Sequence, residues 1–422
     1  MEEKIIKLTI MILISILMKS SECQTNNYKT FSNYEIDSIY RTSTSGVVIK
    51  LPQGTAFWDK GIIFDKGVTI IGEGNNRTII KWVGTENSSI FTLKPKSTEI
   101  DKRFRISGLT IDMNSIENTT AIKIENYSEN FFRNVRIDHN KIIGAKGSTA
   151  FSISINGSIY GLIDNNEMPA LFKILGHNSA SLKDTLKIGS INYLYIEDNI
   201  MYSMHNRIII NSGWGSRWVF RYNKVDISSR GFNLLDAHGN LSSVRGVVGH
   251  DIYENCFTNS EDREDGMRFH DLRGGTAHIY NNILTGNEEN VDIQIREEDC
   301  TSANGFIDCI YPGIDPIKDT YVWNNVNNNK KIRIRNSVSN DSVIMISENI
   351  DFWDDYDTSE SNFYYDTMGT NRNWVVNDCF WDSKQKKLYR CKKPGVLTLI
   401  YEEFEYPHPF QELPPVDGMK IK

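Results

Sequence analysis

The chain has 422 residues, 39% of them apolar and 24% charged, with a formal net charge of −7. That balance excludes nucleic acid as a partner, because phosphate binding needs a basic field. It also gives no global attraction to other polyanions, so any such contact must use a local basic strip.

Residues 1–23 read as a secretory signal peptide. Lys4 and Lys7 form the positive start, Leu8 to Met18 the short apolar stretch, and Ser21-Glu22-Cys23 the cleavage region. The apolar run is shorter than the roughly 20 residues that span a bilayer. The mature chain then starts at Gln24 and is secreted, with no membrane contact after cleavage. The rival reading is a lipoprotein acylated on Cys23, which Glu22 argues against. Residues 24–46, with Tyr28, Phe31, Tyr34 and Ile36, are expected to form an N-terminal cap.

Residues 47–350 are repetitive. Short strand-like runs end in Asn140, Asn166, Asn199, Asn223, Asn255, Asn282, Asn325 and Asn349, with a shortest separation of 24 residues, as between Asn199 and Asn223. Each is followed by a run alternating apolar and polar, such as Ser152 to Asn156, Met267 to His270 and Val291 to Arg296. Period two is strand period. A fixed repeat of this length marks a solenoid. The expected fold is all-β, a right-handed parallel β-helix in which stacked coils bury Ile, Val, Leu and Phe. The Asn side chains form a structural ladder that satisfies the turns between strands.

Residues 351–422 change character. Phe352, Trp353, Phe363, Trp374, Phe380 and Trp381 crowd together. They are expected to be a small C-terminal cap covering the last coil, pinned by a disulfide between Cys379 and Cys391. Cys300 and Cys309 are expected to close a second local loop, and Cys256 to be a buried free thiol. No cysteine or histidine cluster has zinc spacing. Sequons at positions such as Asn76, Asn87 and Asn118 take glycan only in a eukaryotic secretory host.

The Asn-ended strands, the opening Val48 to Gly54 followed by Gly67 to Gly74, and the Tyr406-Pro-His-Pro409 tail carry a family resemblance. The chain resembles the pectate-lyase-like superfamily of right-handed parallel β-helices, in particular a secreted and mostly uncharacterised group. The resemblance implies a polysaccharide or glycan as substrate or partner. It does not imply one reaction, because lyases, hydrolases, epimerases and adhesins share the architecture.

In such a helix the ligand groove runs along outward-facing residues of one sheet. The middle coils are richest in ionisable groups, at Leu235 to Gly239, Phe269 to Gly275 and Ile295 to Asp299. Candidate catalytic residues are Asp236, His238, Arg268, His270, Arg273 and Arg296. Candidate substrate-binding residues are Arg207, Asn211, Trp214, Trp218 and Glu297, with the two tryptophans as a stacking wall. In β-elimination an arginine would neutralise a uronate carboxylate while a histidine moves the proton. In hydrolysis Asp236 would pair with Asp271 or Glu297. A non-catalytic glycan-binding or adhesive protein is the alternative. No cofactor is expected. The acidic turn Glu261 to Asp265 is the one calcium candidate, and its spacing matches no recognised calcium loop. Arg136 and His139 faintly resemble a lyase pattern but fall in a ladder strand and are assigned to structure.

Overall fold

The structure is a computed structural model. It describes residues 25–27, 31–177, 179, 181, 189–204, 207–227, 233–239, 245–259, 266–287, 290–296, 315–336, 346–355, 363–366 and 373–412. The expected signal peptide, the Cys300/Cys309 loop and the acidic turn at 261–265 lie outside these residues. No helix among the described residues is long and apolar enough to cross a membrane.

Among the described residues, three long sheets of 12, 10 and 11 strands stack between Thr25 and Asp354. Strands adjacent in a sheet are one coil apart in sequence, and every coil-to-coil pairing is parallel, as between Leu194–Glu197 and Arg217–Arg221. This is the expected right-handed parallel β-helix, the hand that parallel crossovers adopt. Before the first coil a helix spans Asn33–Thr42. Ser32 and Glu35 form its capping box, and Ile36 and Tyr40 on its inner side are buried. The Trp58 indole N–H donates to the Phe31 carbonyl at 2.9 Å, tying this segment to the coil beneath.

The turn between the 12- and 11-stranded sheets explains the repeated asparagines. His139, Asn165, Asp198, Tyr222, Glu254, Asn281 and Asn324 all have φ between 51° and 57°, in the left-handed region. That conformation bends the chain sharply and costs an L-residue about 1–2 kcal/mol. The next residue is each time a ladder Asn, which offsets the cost. Asn223 Nδ2 donates to the carbonyls of Ile196 and Arg221 at 2.9 Å and to Asn255 Oδ1 at 3.0 Å. The same contact runs from Asn140 through Asn166, Asn199, Asn223, Asn255 and Asn282 to Asn325. Asn349 departs from the expectation. Its backbone N–H closes a turn onto the Phe352 carbonyl at 2.7 Å, and the ladder ends at Asn325.

Inside, like residues stack in register. Ile137, Ile163, Ile196, Phe220, Ile252, Ile279 and Val322 form one buried column. Each such side chain contributes about 1.5–3 kcal/mol on burial.

A second core lies outside the helix, on the outer face of the 12-stranded sheet. There Tyr253, Tyr280 and Trp323 stack at 4.6 and 4.2 Å. Against them packs a four-stranded sheet of Phe363–Tyr365, Cys379–Asp382, Lys387–Lys393 and Val396–Glu402. Trp353, Phe363 and Trp381 are buried there, and Phe380 is buried on the opposite face of that sheet against Trp374 and Tyr389. The chain then runs back along the same face. Arg221 donates to the carbonyls of Phe404 and Glu405 at 2.8 and 2.9 Å, the His408 N–H to Glu197 at 2.9 Å, and Arg136 to the Phe410 carbonyl at 2.6 Å. Arg136 is therefore a tail anchor.

Two cysteine expectations are corrected. Cys379 and Cys391 are free thiols. Cys379 pairs in register with Arg390, so the neighbouring Cys391 points to the other face of the sheet. Cys256 is free but exposed, because its strand alternates exposed and buried from that residue onward.

Candidate functional site

The outer face of the ten-stranded sheet is organised in columns. In register, Lys123, Ser154, Lys173, Asn211, Asp236, Asp271, Gln294 and Arg335 follow one another from coil to coil. Asn233, Arg268, Asp292 and Arg333 form a second column. His238, Arg273 and Arg296 form a third, placed by backbone N–H bonds to Ser212, Ala237 and Leu272 of the preceding coil at 2.9, 3.0 and 3.0 Å. Coils are about 4.8 Å apart, so these groups converge within the reach of a few sugar rings.

Arg273 clamps Asp236, with Nη2 at 2.6 and 2.7 Å from the two carboxylate oxygens. The same Nη2 lies 3.0 Å from His238 Nε2. A guanidinium only donates, so in this contact Nε2 is the acceptor. Asn211 Nδ2 approaches the same nitrogen at 3.4 Å. Asp271 accepts from Arg296 at 3.1 and 2.7 Å and from Arg268 at 3.1 Å. Asp292 receives Arg335 at 3.0 Å. Burial pushes the Asp236 carboxyl above its ordinary value, with Arg273 and His238 opposing. Burial also pushes Asp271 upward, but the hydrogen bonds and charge of Arg296, with Arg268 and Arg273, outweigh it and hold Asp271 below.

Beside this centre is a cleft of about 190 Å³ lined by Lys173, Leu175, Asn211, Gly213, Trp214, His238, Gly239 and Arg245. Trp214 stands at its wall, 46% exposed, with φ +58°. Its backbone N–H donates to the Arg245 carbonyl at 2.9 Å. Arg245 is itself held by both carboxylate oxygens of Asp315.

The sequence-predicted residues divide. Asp236, His238, Arg268, Arg273 and Arg296 come together, and Asn211 and Trp214 flank them. His270, Trp218 and Arg207 do not join. Both Leu234 and Leu235 are buried, as are both Phe269 and His270. The register between these two strands is unbroken, Asn233 with Arg268 and Leu235 with His270, so both change phase together. A bulge at Arg268/His270 follows against the next strand. Alternation counted through these positions therefore changes phase, turning His270 inward and Asp271 outward. His270 is 0% exposed and bonded to His250, Nε2 to Nε2, at 2.9 Å. Its Nδ1 donates to the Leu235 carbonyl at 3.1 Å. Its Nε2 must then accept, and His250 donates. Burial pushes His270 down to about 4. Trp218 is inward as well, 0% exposed and stacked on His250 at 4.8 Å. Arg207 is spent on the carbonyls of Gly147 and Ala150. Glu297 lies outside the described residues.

Lys173 and Arg245 were not among the expected site residues. Lys173 sits in the alternating run Phe172–Leu175, whose pattern identifies it as outward-facing. Arg245 has no sequence signal. Among the described residues, no cluster of carboxylate, histidine and cysteine groups is placed to hold a metal ion.

The chain matches no protein-family model and no curated protein sequence. Solved structures similar to it include an alginate lyase from a Paenibacillus species, 12% identical, covering 63% of this chain and 98% of the other, with a TM-score of 0.37. A PL6-family polysaccharide lyase from Pseudopedobacter saltans is also 12% identical, over 73% of this chain and 82% of the other, at 0.38. The A-module of a mannuronan C-5 epimerase from Azotobacter vinelandii is 12% identical over 78% and 86%, at 0.37.

Proposed function

We propose that this chain acts outside the cytoplasm on an acidic polysaccharide, which it holds along the outer face of the ten-stranded sheet and cleaves by β-elimination. The observation that carries the reading is the cationic strip of Lys173, Arg245, Arg268, Arg273, Arg296, Arg333 and Arg335, against Asp236, Asp271, Asp292 and Asp315, in a chain of net charge −7. Such a strip is the local basic field an acidic protein needs to hold a polyanion.

The chemistry follows from residue types. Arg273 and Arg296 neutralise the uronate carboxylate, which acidifies the adjacent C–H. As Arg273 turns to that carboxylate it leaves His238 Nε2, which takes the proton as the double bond forms and the glycosidic C–O bond breaks. The imidazolium returns the proton to the departing oxygen, so the step balances without a co-reactant. Hydrolysis fits less well. It needs one carboxylic acid and one free carboxylate, and both Asp236 and Asp271 are engaged by guanidinium groups.

A second reading, binding without cleavage, is favoured by one observation: Arg273 and Arg296 already have Asp236 and Asp271 as partners. A panel of acidic and neutral polysaccharides separates the readings. Elimination produces reducing ends together with the ultraviolet absorbance of an unsaturated uronate. Hydrolysis produces reducing ends alone, and a binding protein retains the glycan unchanged.

A further inference from the structure

We infer that the cleft between Lys173 and Trp214 is a dedicated subsite for one acidic pyranose, with the indole stacking on the sugar face and Lys173 pairing with the ring's carboxylate. This rests on the polysaccharide reading above and adds to it a recognition element at the far wall of the cleft that His238 also lines.

Two independent observations carry it. The first is the charge of Lys173. On this face Arg268, Arg273, Arg296, Arg333 and Arg335 each have a carboxylate within 4.0 Å. Lys173 has no such partner among the described residues, and its register neighbours Ser154 and Asn211 are uncharged. Its charge is the one this column leaves for a ligand.

The second is the conformation of Trp214. A bulky residue at φ +58° is a backbone outlier. The same conformation at Tyr222 serves a ladder turn, so at Trp214 it is the exposed ring held at the cleft wall that points to a ligand. Here the Trp214 and Gly215 N–H groups are pinned to the carbonyls of Arg245 and Gly246 at 2.9 and 2.7 Å. Gly213 and Gly215 flank the tryptophan, so the strained position is given to the one residue of the three that has a ring to present. Trp58, Trp82, Trp218, Trp323, Trp353 and Trp381 are all buried, whereas Trp214 is 46% exposed at a cleft wall. An aromatic face beside an ammonium and an amide (Asn211) is the donor set for a pyranose bearing a carboxylate.

Lys173 and Trp214 lie on coils before those of Asp236 and Asp271, so the subsite engages a sugar upstream of the one at His238. It positions the chain and takes no part in proton transfer.

The test uses the mature chain with alginate, polygalacturonate and hyaluronate as probes, each also in carboxyl-reduced form, and binding read by calorimetry at low salt. Trp214→Ala is expected to weaken binding about tenfold to both forms of the preferred probe. Lys173→Met is expected to weaken the acidic form about fivefold and leave the carboxyl-reduced form unchanged. Both positions are on the surface, and unchanged circular dichroism of the variants establishes that they fold. If the wild type binds a probe and both variants bind it equally well, the subsite is overturned while the polysaccharide reading stands. If the wild type binds none of the probes, both fall together. If Lys173→Met weakens acidic and reduced forms alike, the carboxylate contact is overturned.

Discussion

Arg221 and Arg273 sit on outer faces of the same solenoid, each clamped on an acidic residue, and their surroundings differ completely. Arg221 is fully buried on the 12-stranded sheet, with Glu197 at 2.6 Å and the carbonyls of Phe404 and Glu405 laid over it. Tyr195, Tyr253 and Tyr280 complete a face that the chain's own C-terminal segment has closed. Arg273 on the ten-stranded sheet contacts His238, which lines an open cleft. Polar and aromatic columns alone therefore do not distinguish a binding face in a β-helix. The distinction lies in which face the described residues leave uncovered.

The two faces should break differently when mutated. Arg221→Ala leaves Glu197 buried without its cationic partner and strips two tail carbonyls. It should cost about 3–5 kcal/mol, read as a shift in urea midpoint, with turnover per folded molecule unchanged. His238→Ala should do the reverse. Stability should stay within about 0.5 kcal/mol, and turnover should fall about 10²- to 10⁴-fold, because the residue that moves the proton is gone.

Acid sharpens the contrast from inside the solenoid. The folded chain keeps His270 unprotonated down to about 4, whereas the unfolded chain takes up that proton near 6.5. A depressed histidine leaves full stability above the unfolded value and loses it as pH falls from 6.5 toward 4. The loss should be on the order of 3 kcal/mol for this residue. His408, under the tail, is pushed down to about 3 by burial and by the charges of Arg221 and Arg136, and adds with the same sign. Denaturation midpoints across this range test it, and His270→Gln should flatten the profile. The ladder serves both faces and should show a smaller effect. Asn223→Ala should cost about 1–3 kcal/mol, because Asn199 loses its acceptor and two buried carbonyls lose a donor.

The helix and its ladder were legible in the sequence because one residue type recurs where one backbone conformation demands it. Asn140 through Asn325 each follow a left-handed residue and make the same bonds. Parts of the site were legible because His238, Arg273 and Arg296 sit at strand ends where alternation still holds. His270 was misplaced because the paired inward residues Leu234/Leu235 and Phe269/His270 shift the phase by one position, and a histidine is at home on either side of that shift. Trp218 was misplaced because indole burial looks the same in sequence as indole display. The closing of the 12-stranded face was not legible at all. It depends on contacts such as Arg136 with Phe410, 274 residues apart, which no local pattern encodes.

The most direct test of the central claim is a single assay, following the ultraviolet absorbance of unsaturated uronate when the mature chain meets the acidic polysaccharide panel, with His238→Ala beside it. The account predicts that absorbance rises with the wild type on at least one acidic substrate and collapses with the variant. Reducing ends without that absorbance, or full activity in His238→Ala, would contradict it.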